Sequence, residues 1–316
     1  MKRFLKNFAL FLSLPAVLGA AWTVFVVAMD YASYTGALAA PDGATVAVCG
    51  DSQTKDALDP SVVSGLFNFS TAATTCDQDL LRLADLLKAN PGRFKQVLVD
   101  VSPLEVGYSA QRPVSELNSA RVHALIHFYR LSSNRRPIGS VVAIWRDVVC
   151  VRKYNEFRKA ILRGKPWRSS MAGGFSPDST KGFLDPKYAG KALADAKEKA
   201  GRVNRRPPAT LDLPLFANLA EAVEMVRKAG AEPVVTTMPL SRALKEEIDP
   251  AKLAAFRESS RAVAERIGAR RMDYLGLDLP DGMWHDANHL NRDGAKAFSE
   301  MFAADLASGR DPAGRK

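Results

Sequence analysis

Cysteine and histidine are both scarce in this chain of 316 residues, with three of the first and four of the second. Cys49, Cys76 and Cys150 show no C-x-x-C spacing, which excludes the usual zinc-ribbon and dithiol redox motifs. If the chain is exported, one disulfide can form among them with one thiol left over, and the sequence does not choose the pair. Cys49 reads as a small apolar residue at the end of a strand. There is also no low-complexity tract and no internal repeat, so solenoids and arrays are excluded. Nucleic-acid binding has only the formal charge of +10 in its favour. No zinc-finger, RNP or helix-turn-helix signature accompanies that charge, and the basic residues are scattered. The same basicity suits an anionic membrane or envelope polymer. No cofactor-binding glycine motif is present, and neither cofactor nor metal is expected.

Charge is missing altogether from Phe8 to Met29, behind the basic Met1-Lys2-Arg3-Phe4-Leu5-Lys6. An uncharged run of about 22 residues is close to the roughly 20 that cross a bilayer as a helix. Lys2, Arg3 and Lys6 place the amino terminus in the cytoplasm, with Trp22, Tyr31 and Tyr34 towards the far interface. A cleaved signal with a small-x-small site at Ala37-Leu38-Ala39 is the competing reading, but the apolar run is long for one. The organisation expected is an anchor over 1–29, a linker over 30–43, and an extracytoplasmic (periplasmic) domain over 44–316 with an insertion at 112–210.

Within that domain, short β-branched runs alternate with amphipathic ones. Strands are expected at 44–49, 66–69, 96–101, 232–239 and 271–274. Helices are expected from Asp77 to Asn90, Leu215 to Lys228, Pro250 to Ile267 and Arg292 to Ala307. That alternation implies an α/β fold with a parallel sheet covered on both faces. Between 112 and 210 the pattern loosens. Helices at 115–130 and 191–200, the latter stopped by Gly201, sit among Gly173-Gly174, Pro166, Pro177 and Pro186. Such punctuation suits an insertion or cap over the carboxyl edge of the sheet.

Gly50-Asp51-Ser52 stands where the first strand ends, and ligands in open α/β sheets bind at the carboxyl ends of the strands. A serine there becomes a nucleophile if a histidine and a carboxylate reach it. The last loop reads Trp284-His285-Asp286-Ala287-Asn288-His289-Leu290-Asn291, and two chemistries compete for it. His285 and His289 echo a zinc-binding helix at i and i+4, but Pro280, Gly282, Asn288, Asn291 and Gly294 are loop and cap residues. In the alternative, Asp286 orients the imidazole of His289 across a tight turn and leaves its other nitrogen for Ser52.

Gly50-Asp51-Ser52 together with Asp286-Ala287-Asn288-His289 resembles the first and last blocks of the SGNH (GDSL-type) hydrolases. The resemblance implies a flavodoxin-like, three-layer α/β/α fold, with Ser52 as nucleophile, His289 as base and Asp286 as its orienting partner. The chain departs from the family in its middle blocks, where Ser70-Thr71-Ala72 and Asp100-Val101-Ser102-Pro103 replace the glycine and asparagine that serve the oxyanion hole. The backbone N–H groups of Ser52 and Ser70, with the amide of Asn68 nearby, are the candidate donors instead. The layout is similar to the membrane-anchored branch of the family, the D-alanyl transfer protein of teichoic-acid modification and SGNH-like polysaccharide O-acetyltransferases. This implies acyl transfer to an envelope or exported glycan, with a membrane-bound O-acyltransferase as partner. A non-catalytic scaffold of such a machine and a simple carboxylesterase or lipase are the alternatives.

Overall fold

The computed structural model describes residues 32–72, 76–106, 174–179, 181–210 and 213–312, with scattered positions before residue 30 and between 158 and 164. The chain divides into two compact units, residues 1–37 with 112–172 and residues 38–111 with 173–316. In the first unit, the described positions from 17 to 37 are helical, including 32–37, where the sequence suggested linker. None of the helices among the described residues is long and apolar enough to cross a membrane. Most of the expected anchor, the expected helix at 115–130, the apolar stretch from Ile138 to Phe157 and Cys150 lie outside the described residues.

The second unit is built on five parallel strands: β1 (Val46–Cys49), β2 (Leu66–Asn68), β3 (Gln96–Asp100), β4 (Glu232–Thr237) and β5 (Arg270–Asp273). Their order is β2-β1-β3-β4-β5, the flavodoxin-like arrangement. Val46 pairs with Leu66 on one side and with Gln96 on the other, so β1 is an interior strand and the sheet is built outwards from it to both sides. The crevice where the order reverses therefore opens at the carboxyl ends of β1 and β3. Every residue of β1 is buried, as a strand covered on both faces requires.

Among the described residues, seven α-helices accompany the sheet: α1 (Ser52–Ala57), α2 (Cys76–Ala89), α3 (Ala189–Asn204), α4 (Pro214–Lys228), α5 (Arg242–Glu247), α6 (Pro250–Arg266) and α7 (Arg292–Ser308). Alternate strand residues face opposite layers. Val46, Val48, Leu98, Val234 and Met272 pack with Phe298 and Phe302 of α7. Cys49 and Val99 instead face Leu80 and Leu83 of α2 and Leu215 and Leu219 of α4. Tyr274 meets Phe298 edge-on at 4.9 Å and donates its hydroxyl to the buried Asp305 at 3.1 Å, so its polar end is satisfied inside the core.

Four details differ from the sequence expectation. α1 starts at Ser52 with no apolar period to announce it, since its buried residues are Gln53, Thr54 and Ala57. α2 begins at Cys76, which puts Asp77 in its first turn rather than at its cap. α3 runs through Gly201 to Asn204. The short α5, capped by Ser241, follows β4 unannounced.

Candidate active site

β1 delivers its chain directly into the crevice. Gly50 is required there by space: a Cβ would lie 2.8 Å from Asp100 Cβ and 2.9 Å from Thr54 Oγ1. Asp51 then caps α1, its carboxylate accepting the N–H of Gln53 at 2.7 Å. Burial pushes the Asp51 carboxyl upward, against the Gln53 N–H and the charge of His289, which favour its ionised form. Ser52 is the first residue of the helix, and its N–H has no hydrogen-bond partner among the described residues, as first-turn amides lack one within a helix.

The opposing loop is clamped at its base. Trp284 and Leu290 form an antiparallel bridge, and both are buried in the core. The N–H of His285 donates to His289 O at 2.8 Å, and Asn291 closes the rear by donating its amide to Gly282 O at 2.8 Å. Gly182 lets the returning segment of the insertion touch this loop. Its N–H donates to Trp284 O at 2.9 Å, and any Cβ would collide with the backbone of His285.

Inside the clamp, Asp286 organises the turn. Its Oδ1 accepts the N–H groups of Asn288 at 3.0 Å and His289 at 2.9 Å. The same carboxylate meets His289 Nδ1 at 2.9 and 2.8 Å through its two oxygens. On the other side of the ring, His289 Nε2 lies 2.8 Å from Ser52 Oγ. Ser52, His289 and Asp286 are thus brought into one hydrogen-bonded chain across 237 residues of sequence. Burial tends to raise the Asp286 carboxyl. It is outweighed by the hydrogen bond and charge of His289, the charge of Lys199 and the Asn288 N–H, which together hold it well below the usual carboxylate range.

The two other expected oxyanion donors are not available. Asn68 donates its amide to the carbonyls of Leu58 at 2.8 Å and of Thr54 and Lys55 at 3.3 Å, capping the end of α1. Its Oδ1 accepts the Ser70 N–H at 3.0 Å. Both groups are consumed within the fold, which leaves the Ser52 N–H of the three. The zinc alternative also loses its basis: His285 to His289 is a loop, so no shared helical face exists. Both ring nitrogens of His289 are already engaged with Asp286 and Ser52.

Several site residues had no sequence signal. Gln53, buried beneath Ser52, accepts Ser102 Oγ at 2.7 Å and reaches Asn288 O at 3.4 Å, tying the end of β3 to the histidine loop. Lys199 of α3 donates to Asn288 Oδ1 and pairs with Asp195 at 2.6 Å. Asp195 and Lys199 have the i,i+4 spacing of an ordinary surface pair, so nothing marks them in the sequence. The insertion's return passes along the same edge, where Gly174 N–H donates to Ser70 O and Ser176 Oγ accepts from Lys55 at 2.9 Å. Beside Asp286 lies a cleft of about 290 Å³ lined by Asp178, Tyr188, Lys191, Asp195 and His285. His285 Nδ1 stands 3.8 Å from Asp178 across it.

No protein-family model matches the chain, and no curated protein does. Among solved structures it is similar to a Bacteroides fragilis protein provisionally described as an acylhydrolase. That match has 12% identity over 89% of this chain and 96% of the other, with a TM-score of 0.41. It is also similar to a GDSL-like lipase of Bacteroides thetaiotaomicron, at 13% identity over 87% of this chain and 96% of the other, with a TM-score of 0.39.

Proposed function

We propose that this chain is an SGNH-type serine acyl-transfer enzyme of the cell envelope. The observation that carries the reading is the continuous chain Ser52 Oγ–His289 Nε2, 2.8 Å, and His289 Nδ1–Asp286 Oδ2, 2.8 Å, at the switch point of the sheet. Ser52 Oγ attacks the carbonyl carbon of an ester as its proton passes to His289 Nε2. The Ser52 N–H faces the developing oxyanion. Collapse of the tetrahedral intermediate breaks the bond to the leaving alcohol, which takes the proton from His289 and leaves an acyl-serine. Water or a glycan hydroxyl then attacks the acyl carbon as its proton passes to His289, and His289 returns that proton to Ser52 Oγ as the acyl–serine bond breaks.

A glycan of the envelope or an exported polysaccharide is the proposed acceptor. The cleft beside Asp286 supports it, because Asp178, Lys191, Asp195, His285 and the Tyr188 hydroxyl offer hydrogen-bond partners for sugar hydroxyls there. Lys2, Arg3 and Lys6 ahead of the uncharged 8–29 support an inner-membrane anchor with an extracytoplasmic domain, and a membrane-bound O-acyltransferase would supply the acyl group. The test is acyl-enzyme formation. Mixing with a 4-nitrophenyl ester should give a burst of nitrophenolate equal to the enzyme present and an acylated Ser52 peptide. Adding oligosaccharide should divert acyl groups from water, whereas a simple esterase would be indifferent to it.

One observation favours a second reading, a non-catalytic scaffold of the same machinery. Asn68 and the Ser70 N–H are engaged within the fold, so the oxyanion would have fewer donors than the hydrolytic members of the family provide. A scaffold would bind glycan with no burst and no acylated peptide.

A further inference from the structure

α3 belongs to the region set apart as an insertion, yet it sends one side chain into the back of the histidine turn. Lys199 is only 14% exposed, and its ammonium has three donors to place. They face Asp195 Oδ2 at 2.6 Å, Asn288 Oδ1, and Asp286 Oδ1 at 3.9 Å. Asn288 is the residue between Ala287 and His289, and its own N–H is held by Asp286. Its carbonyl receives Gln53 from beneath Ser52. Lys199 therefore grips the turn at the point where the serine side and the histidine side meet. A flexible lysine with that burial would not be fixed by a lone surface pair. It is held because two carboxylates and an amide oxygen converge on it.

We infer that Lys199 is a positioning residue for the proposed reaction, holding the Asp286–His289 turn in register with Ser52 and setting the charge balance of the His289–Asp286 pair. The inference rests on the serine-nucleophile reading above. A fixed positive charge behind Asp286 disfavours a second positive charge on the ring at the far side of that carboxylate. The other charged groups nearby are Asp51 from the β1–α1 connection, Lys191 on α3 itself, and Asp178 and His285 across the cleft. α3 also packs against the turn carrying Glu105 and against α5, which bears Arg242, Lys245, Glu246 and Glu247. None of these replaces the contact that Lys199 makes with Asn288. Asp195 is a partner of Lys199, and removing the lysine leaves that carboxylate unpaired. Both changes make the surroundings of the ring more negative.

The test compares wild type, K199M, K199R and S52A on a 4-nitrophenyl ester across pH. K199M should lose roughly 10- to 100-fold in kcat with a smaller change in KM, the scale of a misplaced catalytic group. The acidic limb of its rate profile should move to higher pH by about one unit, the scale of one unit charge several ångströms away in a partly solvated site. K199R, which keeps charge and donors, should recover most of the rate and restore the limb. A K199M profile superimposable on wild type would overturn the inference, as would a slowed enzyme whose limb has not moved. If K199M does not fold, K199Q keeps a donor for Asn288 without the charge and carries the same limb test. An active wild type with S52A inert and K199M unaffected strikes the role of Lys199 alone. A wild type with no turnover and unmodified Ser52 removes the serine reading and this role together.

Discussion

Replacing Asp286 with asparagine keeps the shape of the turn and reverses one hydrogen bond. Oδ1 accepts the N–H groups of Asn288 and His289, and an asparagine oxygen can go on doing so. The amide NH₂ must then occupy the place of Oδ2, 2.8 Å from His289 Nδ1. A flip of the amide is opposed because its NH₂ would face two backbone donors and the ammonium of Lys199, 3.9 Å from Oδ1. Oδ1 also lies 2.9 Å from Nδ1, but it already accepts two backbone N–H groups, so the NH₂ at the shorter contact leaves Nδ1 as the unprotonated nitrogen and the ring proton moves to Nε2. That nitrogen then donates towards Ser52 Oγ at 2.8 Å and cannot take its proton. The wrong tautomer costs roughly 10⁴-fold in kcat in the chymotrypsin-type triad. A drop of about 10³- to 10⁴-fold is expected here, or about 4–5.5 kcal/mol in the barrier. Steady-state hydrolysis of a 4-nitrophenyl ester at pH 7.5, with a thermal melt to show that the variant is folded, measures it. A folded Asp286→Asn enzyme within tenfold of wild type would refute the reasoning.

The rest of the fold offers three further checks. Cys49 is buried, and burial, with Asp79 adding and Arg82 opposing, pushes its thiol up to about 12. Iodoacetamide at pH 8 should leave it unmodified in the native protein and alkylate it in urea, as peptide mapping would show. Glu105 is buried with Oε1 unpartnered among the described residues. Burial, then the charges of Asp51, Asp79 and Asp100, push its carboxyl well above the usual range. A raised native value means that the folded chain holds this proton more tightly than the unfolded one. Its contribution is therefore fully present below the unfolded value near pH 4.3 and is lost as pH rises through the native one. Glu105→Gln should accordingly melt higher than wild type at pH 8, with the gap closing towards pH 4. An equal or lower Tm at pH 8 would count against the burial of this charge. Phe298, fully buried against Tyr274 and Phe302, should cost about 3–5 kcal/mol when cut to alanine, read by urea denaturation.

The parallel sheet was legible because β1, β3 and β4 are short runs rich in valine, because β2 and β5 are short runs between turn residues, and because helices separate most of the strands. Ser52, His289 and Asp286 were legible for a related reason. Each sits in a dense local motif at a strand's carboxyl end, and the topology carries those ends to one edge. What local sequence could not show were choices made by tertiary contact. Asn68 read either as an amide beside the site or as the cap of a turn, and the second holds: the end of α1 takes its donors, and that helix has no apolar period to announce it. Lys199 carries no local signal, because its partner Asn288 is 89 residues away. Gly201 read as a stop, although α3 passes through it and is held by the alanines at 192, 196 and 200, which are buried on one face.

The central claim is that Ser52 is an activated nucleophile, and reaction with a fluorophosphonate probe tests it most directly. Intact-mass and peptide analysis should find a single adduct on Ser52, absent in Ser52→Ala and formed far more slowly in His289→Ala. A folded wild-type protein whose Ser52 stays unmodified under conditions that label a control serine esterase to completion would contradict the account.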